Sequence, residues 1–391
     1  MMMGLGHPKQ RTVYVAAAAM ILAGLGIRIA GLGFVSYDMT DWLLPWYDQL
    51  AAGGFSALRE PFSNYTPPYL YLLWLATAAG TFLPKVAAIK LISILFDLFN
   101  ALTVCKILKI KYPVGSVPLL GASGFLLLPT VFLNSAFWGQ ADAIYSFFLL
   151  ACLYFLLKDR PFLALAFLGI SFSFKAQAVF LAPLLLLLTV RRRIPWYAFG
   201  LIPAVYVVMM LPALLTGRPL MELLTIYISQ ADVYGGLSMH APTLYVFVPD
   251  GWRTPALYAG FLITFAVICA WVWRYTRRIR EFTPNLFMLC ALASVAIVPF
   301  FLPKMHDRYF YLADLLSFIL AFYIPRLWFL ALGYQVVSGM AYSIFLIPSV
   351  VPIKRRVTET VLAWSAVVNT LVMGLVLLAQ WKYTGYRHDQ N

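Results

Sequence analysis

The run P-F-L-A-L-A-F-L-G-I-S-F-S-F-K-A-Q-A-V-F-L-A-P-L-L-L-L-L-T-V, residues 161–190, is bracketed by Lys158 and Arg160 before it and Arg191, Arg192 and Arg193 after it. It is too long for one bilayer crossing, which takes about 20 residues, and Lys175 splits it near the middle. Two short crossings joined by a tight turn put Lys175 at a hairpin tip, opposite both basic clusters. The positive-inside rule assigns those clusters to the cytoplasm. A helical protein threaded repeatedly through a membrane follows.

The rest of the chain agrees. Its 391 residues are 62% hydrophobic and 11% charged, with mean hydropathy +0.83, more apolar surface than a soluble domain buries. The apolar runs lack the period-2 alternation of barrel strands, so the fold class is all-α. The formal charge of +14 sits in short clusters between those runs, where it encodes topology and offers no nucleic acid a stripe. Cys105, Cys152, Cys269 and Cys290 fall in apolar segments without ligand spacing and read as packing residues. The run at 12–35 is too long for a signal peptide and reads as a retained first span.

Clusters at Lys9/Arg11, Lys106/Lys109/Lys111, Lys158/Arg160, Arg191–Arg193 and Arg274/Arg277/Arg278/Arg280 all belong on the cytoplasmic side. Between the first two lie three apolar stretches, 12–35, 67–83 and 86–107, and an odd number of crossings would put Lys106 outside. The stretch at 67–83 is the shortest, opens on Pro67-Pro68 and is rich in Tyr and Trp, so it is the one expected to lie on the surface. Further crossings at 113–133, 142–157, 160–174, 178–190, 194–214, 255–274, 284–302, 308–325, 327–349 and 358–381 bring the expected number to about 12. Both ends are then cytoplasmic, and residues 1–391 form a single membrane domain. The exterior segments are 36–85, 134–142, 175–177, 215–254 and 303–308. Lys354, Arg355 and Arg356 land outside, against the rule.

Polar residues collect on that exterior. Asp38 and Asp41 stand three apart in an acidic, aromatic loop with Asp48, where they serve equally as helix caps or as a general base. Gln140 and Asp142 follow a tryptophan at a helix start, where Asp142 is also a natural cap. Lys175 has the bland reading of a lysine snorkelling to headgroups. The stretch L-P-K-M-H-D-R-Y-F-Y holds Lys304, His306 and Arg308, three potential cations facing outward. A phosphate or pyrophosphate is their natural partner. Arg28, inside the first span, reads as pairing with a carboxylate in the bundle. Carboxylates, an amide and cations on one face suit sugar transfer from a lipid phosphate: the phosphate leaves with cationic help, and one base deprotonates the incoming hydroxyl. One base without a nucleophilic partner predicts inversion.

The chain resembles the GT-C superfamily of polytopic glycosyltransferases, and within it the bacterial mannosyltransferases related to the GPI mannosyltransferase II family. The likeness runs through Tyr37-Asp38 to Asp41, F-S-N-Y-T-P-P-Y at 62–69, W-G-Q-A-D at 138–142, F-K-A-Q at 174–177 and H-D-R-Y-F-Y at 306–311. It implies a long first external loop carrying juxtamembrane helices. It also implies a polyprenyl- or dolichyl-phosphate sugar donor, mannose or glucose as the hexose, and a glycolipid, glycan or protein acceptor. Asp38 or Asp41 becomes the base. Lys175, Lys304, His306 and Arg308 meet the donor phosphate, and Asn64, Tyr65, Gln140, Asp142, Gln177 and Tyr309 line the sugar or acceptor site. Thr243 stands where relatives carry Asn, so that loop's specificity does not transfer. No cofactor is implied, and the Asp38–Asp41 spacing is weak evidence for a divalent metal. The site is expected on the non-cytoplasmic side of a bacterial inner membrane. A lipid-linked sugar transporter or flippase is the main rival, and a noncatalytic scaffold the second; a transporter would show internal repeats and midplane charges.

Overall fold

The computed structural model of the protein describes residues 8–233 and 235–385. The helices are α1 (Pro8–Gly31), α2 (Leu44–Gly53), α3 (Pro67–Ala79), α4 (Lys85–Lys111), α5 (Val117–Phe125), α6 (Pro129–Phe132), α7 (Asp142–Leu157) and α8 (Pro161–Phe174). They continue as α9 (Ala182–Val190), α10 (Leu201–Leu215), α11 (Leu220–Val233), α12 (Arg253–Arg278), α13 (Pro284–Phe301), α14 (Tyr311–Tyr323), α15 (Trp328–Leu346) and α16 (Arg355–Gly385). Proline sets many of the starts. It occupies the first turn of α3, α5, α6, α8, α9 and α13, where its missing N–H costs no hydrogen bond. Helix α13 lies at the centre, almost wholly buried, against α14, α16 and α12.

All the expected crossings coincide with apolar helices, but the number twelve is not shown. Among the described residues, seven helices are long and apolar enough to cross, or eight if the bent pair 117–125 and 129–138 is one span. Four more, at 142–157, 161–174, 176–190 and 311–323, are shorter, below the length that about 30 Å of hydrocarbon requires at 1.5 Å per residue. The 161–190 run shows why. The chain goes extended at Lys175 (φ −150°, ψ 137°) and restarts through a 3₁₀ turn, so one long run becomes two short helices. The bent pair turns by 46° just before Pro129, which cannot continue the hydrogen-bond ladder of α5. Helix α3 has 13 residues, the same length as α14.

The basic clusters meet at one end of the bundle. Arg193 pairs with Asp159, Arg191 donates to the carbonyls of Thr276 (3.0 Å) and Ile279 (2.7 Å), and Arg278 reaches Thr384 at the end of α16 (2.8 Å). The Lys9 side chain lies outside the described residues. At the other end the loops expected outside pack on one another. The 215–254 and 303–308 segments join through a two-stranded parallel pair, β1 (Ser238–Met239) and β2 (Met305–His306), in register Ser238 to Met305 and Met239 to His306.

Polar residues are not confined to that end. Arg28 does find a carboxylate: its Nη2 lies 2.8 Å from Asp97, both side chains buried. Lys90 is buried too, donating to Gly31 O (2.8 Å) and Phe34 O (2.5 Å) at the end of α1, where helix carbonyls lack intrahelical donors.

Candidate active site

One buried face of α4 carries Lys90, Ser93, Asp97 and Asn100, three to four residues apart and so stacked along one side. That stripe holds the 134–143 segment. Ser93 Oγ donates to Gln140 O (2.6 Å), Asn100 Nδ2 to Ala143 O (2.8 Å), and Asp97 accepts from Ser135 Oγ (2.5 Å). The segment ends its π-helical turn, Leu133–Trp138, on Gly139 at φ +80°. A left-handed conformation is cheap there only for glycine, and a Cβ would stand 2.7 Å from Met39 Cε. The close approach brings Trp138 and Gln140 onto the first external loop.

Asp38 receives them. Its Oδ2 accepts from Trp138 Nε1 (2.8 Å), Gln140 Nε2 (2.5 Å) and Arg308 Nη1 (3.0 Å). Three donors on one oxygen fix the carboxylate. Among the described residues none donates to Oδ1, and the side chain is 30% exposed. Arg308 also faces Asp142, Nε to Oδ2 at 3.6 Å, and lies over the Trp138 ring at 4.9 Å. Asp142 Oδ1 accepts from Lys175 Nζ (2.6 Å) and Oδ2 from Asn134 Nδ2 (2.8 Å). Lys175 therefore points inward instead of snorkelling. Its ammonium lies 5.3 Å from the Tyr65 ring centroid, and the Tyr65 hydroxyl reaches Gln140 Oε1 (3.4 Å). Asp38, Arg308, Asp142 and Lys175 thus alternate in sign along one chain of contacts.

In front of that chain is a cavity of about 330 Å³. Asn64, Tyr65, Lys175, Gln177, Lys304, His306, Arg308 and Tyr309 all line it. Gln140, Asp142 and Asp38 are not lining residues: Asp142 contacts Lys175 and Arg308, Asp38 contacts Arg308, and Gln140 contacts Tyr65 and Asp38. Asp41 does not join them: it is exposed and accepts from Thr40 Oγ1 (3.0 Å). The remaining loop acid, Asp48, is taken by Lys85 at 2.6 Å.

The charge state of the 303–308 loop differs from a count of three cations. Burial, helped by Arg308 and Lys175, lowers the His306 imidazole to about 3, so it is neutral at ordinary pH. Asp307, unmarked in the sequence reading, is buried beside Arg308, whose backbone N–H it accepts at 2.9 Å. Burial raises its carboxyl to about 7, with Arg308 opposing and Asp38 and Asp142 reinforcing. Arg308 stays charged, because Asp307, Asp142 and Asp38 outweigh the cost of its burial.

Sequence reasoning also missed Tyr227, Gln230, Met239 and Phe261 on the cavity wall. Nothing in their spacing marks them. The α4 stripe was findable, since polar residues inside an apolar run are expensive to keep. Among the described residues no group of three His, Cys, Asp or Glu is placed to hold a metal ion.

No protein-family model and no curated protein matches the chain. Among solved structures, the crystal structure of ArnT from Cupriavidus metallidurans bound to undecaprenyl phosphate is similar. Its TM-score is 0.53 at 16% identity, over 94% of this chain and 77% of that one. At that identity the likeness is one of fold. The protein is a multi-pass membrane protein with an ArnT-like architecture.

Proposed function

We propose that this protein is an inverting GT-C glycosyltransferase. It moves a hexose, mannose or glucose, from a polyprenyl-phosphate sugar to a hydroxyl of a glycolipid, glycan or protein at the non-cytoplasmic face of a bacterial inner membrane. The observation that carries the reading is Arg308, held between Asp38 and Asp142 at the back of a cavity whose wall also bears Lys175. The ArnT-like fold supports it, since that neighbour was solved with undecaprenyl phosphate bound.

The chemistry follows from the alternating charges. An entering donor phosphate competes with Asp38 and Asp142 for Arg308 and Lys175, because a phosphate oxygen matches a guanidinium fork and an ammonium point charge. The cations then stabilise the charge that grows on the phosphate as the bond from the anomeric carbon to the phosphate oxygen breaks. Asp38 Oδ1 takes the proton of the acceptor hydroxyl, whose oxygen attacks the anomeric carbon from the opposite side. Trp138 and Gln140, bonded to Oδ2, keep Oδ1 aimed outward. Neutral His306 and the rings of Tyr65 and Tyr309 are suited to hydrogen bonds and stacking with the sugar. Asp41, the alternative base, lies outside this constellation.

Turnover of a polyprenyl-phosphate hexose with an acceptor tests the assignment. Asp38→Asn is expected to lower kcat about 100- to 10,000-fold, with Asp41→Asn near the unaltered rate. Equal losses in both variants, or none in Asp38→Asn, would remove Asp38 as the base.

The transport reading draws on the buried Arg28–Asp97 pair. Arg28 is also bonded to Gly24 O (2.9 Å) and Leu126 O (2.7 Å), which makes the pair a fixed staple between α1, α4 and the end of α5.

A further inference from the structure

The end of the connection from α15 to α16, Lys354, and the first turn of α16, Arg355 and Arg356, carry the three cations that the positive-inside count leaves outside. Pro348 O accepts from the Tyr37 hydroxyl at 3.1 Å, and Phe345 stacks on Trp138 with centroids 5.4 Å apart. The connection therefore lies at the site end of the bundle, away from the other basic clusters. Glu359 takes Arg355 at 2.8 Å. Among the described residues no carboxylate pairs with Lys354 or Arg356, both exposed. Just before them, Val350 and Val351 are 67% and 55% exposed, an apolar tip.

From Arg356 one face of α16 runs Arg356, Thr360, Ala363, Trp364 and Val367, lining with Glu359 a groove of about 420 Å³. At 1.5 Å per residue the face descends about 12 Å from the guanidinium's position to the indole's, and about 16 Å to Val367. Cation, hydroxyl, indole and aliphatic side chain follow the order of phosphate, glycerol, interface and acyl chain in a phospholipid. Below Val367, Leu371 and Leu375 continue outward-facing and exposed.

We propose that this groove binds an anionic phospholipid of the surrounding bilayer, with the headgroup phosphate at Lys354 and Arg356 and an acyl chain along Trp364 and Val367. The bound lipid fixes the depth of the site end in the membrane. It acts on elements that carry the site: Pro348 holds Tyr37, next to Asp38, and Asn369 on α16 donates to Pro242 O (2.7 Å), beside the strand pair that walls the cavity. The groove is separate from the cavity, so its occupancy stands independently of any sugar transfer.

Photoactivatable phosphatidylglycerol and phosphatidylcholine, each carried in nanodiscs with the full-length protein and mapped by peptide mass spectrometry, test it. Phosphatidylglycerol should label residues 356–367 preferentially. One cation near a membrane surface is worth about fivefold in affinity, so the double variant Lys354→Ala/Arg356→Ala should lose about 25-fold of that labelling. Both residues are exposed, and an unchanged gel-filtration profile confirms that the variant folds. Equal labelling by the two lipids, labelling undiminished in the double variant, or none on α16 would overturn the proposal.

Discussion

At the scale of single residues, the site turns on how much charge of each sign surrounds Arg308. Asp38 and Asp142 already bracket it, and Asp307 is a third carboxyl whose ionisation falls at about pH 7. Below that pH Asp307 is neutral, and two acids face Lys175 and Arg308. Above it a third negative charge opposes an entering phosphate. The donor KM should therefore rise between pH 6 and pH 8. A unit charge a few ångströms away is worth about 1 kcal/mol even in water, so the change should be about fivefold or more. Asp307→Asn should flatten that rise. Steady-state KM for the donor across the range checks it, and a profile that keeps its slope in Asp307→Asn would assign the dependence to another group. Arg28 was legible at this scale, because an arginine in a span needs a carboxylate and found Asp97. The neutrality of His306 and the burial of Asp307 were not: both depend on which loops close over 303–308, and that closure is made by β1, 66 residues upstream of Met305 at its nearest.

At the scale of elements, the 134–143 segment is the part most finely placed, between the α4 stripe and the first external loop. Gly139 makes the approach possible, with φ +80° and Met39 Cε 2.7 Å from where a Cβ would stand. Gly139→Ala should cost about 1–2 kcal/mol from the left-handed backbone alone, with the flexible methionine end moving aside. It should also lower turnover, since Trp138 and Gln140 lose their aim at Asp38. Thermal unfolding in detergent alongside the transfer assay measures both; a variant matching the original protein in stability and rate would show the turn to be unimportant. The sequence marked this segment through Gln140 and Asp142 but not its support. Ser93, Asp97 and Asn100 sit inside an apolar run, and their contacts to Gln140, Ser135 and Ala143 emerge only when α4 packs against α7 and the loop before it. The 161–190 run breaks at Lys175, as its length required, and of the two readings open for the lysine, headgroup snorkelling is the one its geometry does not follow. A hairpin tip reads as exposed, whereas here Asp142 draws the ammonium inward at 2.6 Å, because an unpaired buried carboxylate would be costly.

At the scale of the whole molecule, hydropathy and basic clusters were enough for an all-helical membrane protein whose two ends differ in character. They were not enough for the number of crossings. Helices of 13 to 16 residues, such as α7, α8 and α14, look like spans in a hydropathy count, but their length depends on breaks at Lys175, at Asp159 and in the 303–310 loop that bring polar groups together. The breaks at Lys175 and in the 303–310 loop also line the cavity, whereas the one at Asp159 lies at the opposite, basic end. The most direct measurement is a cryo-EM structure of Asp38→Asn with a polyprenyl-phosphate hexose bound. The donor phosphate should lie within hydrogen-bond distance of Arg308 and Lys175, with the Lys175–Asp142 contact lengthened from 2.6 Å and the anomeric carbon facing position 38. A donor bound elsewhere, with the Arg308 and Lys175 ion pairs unchanged, would contradict the account.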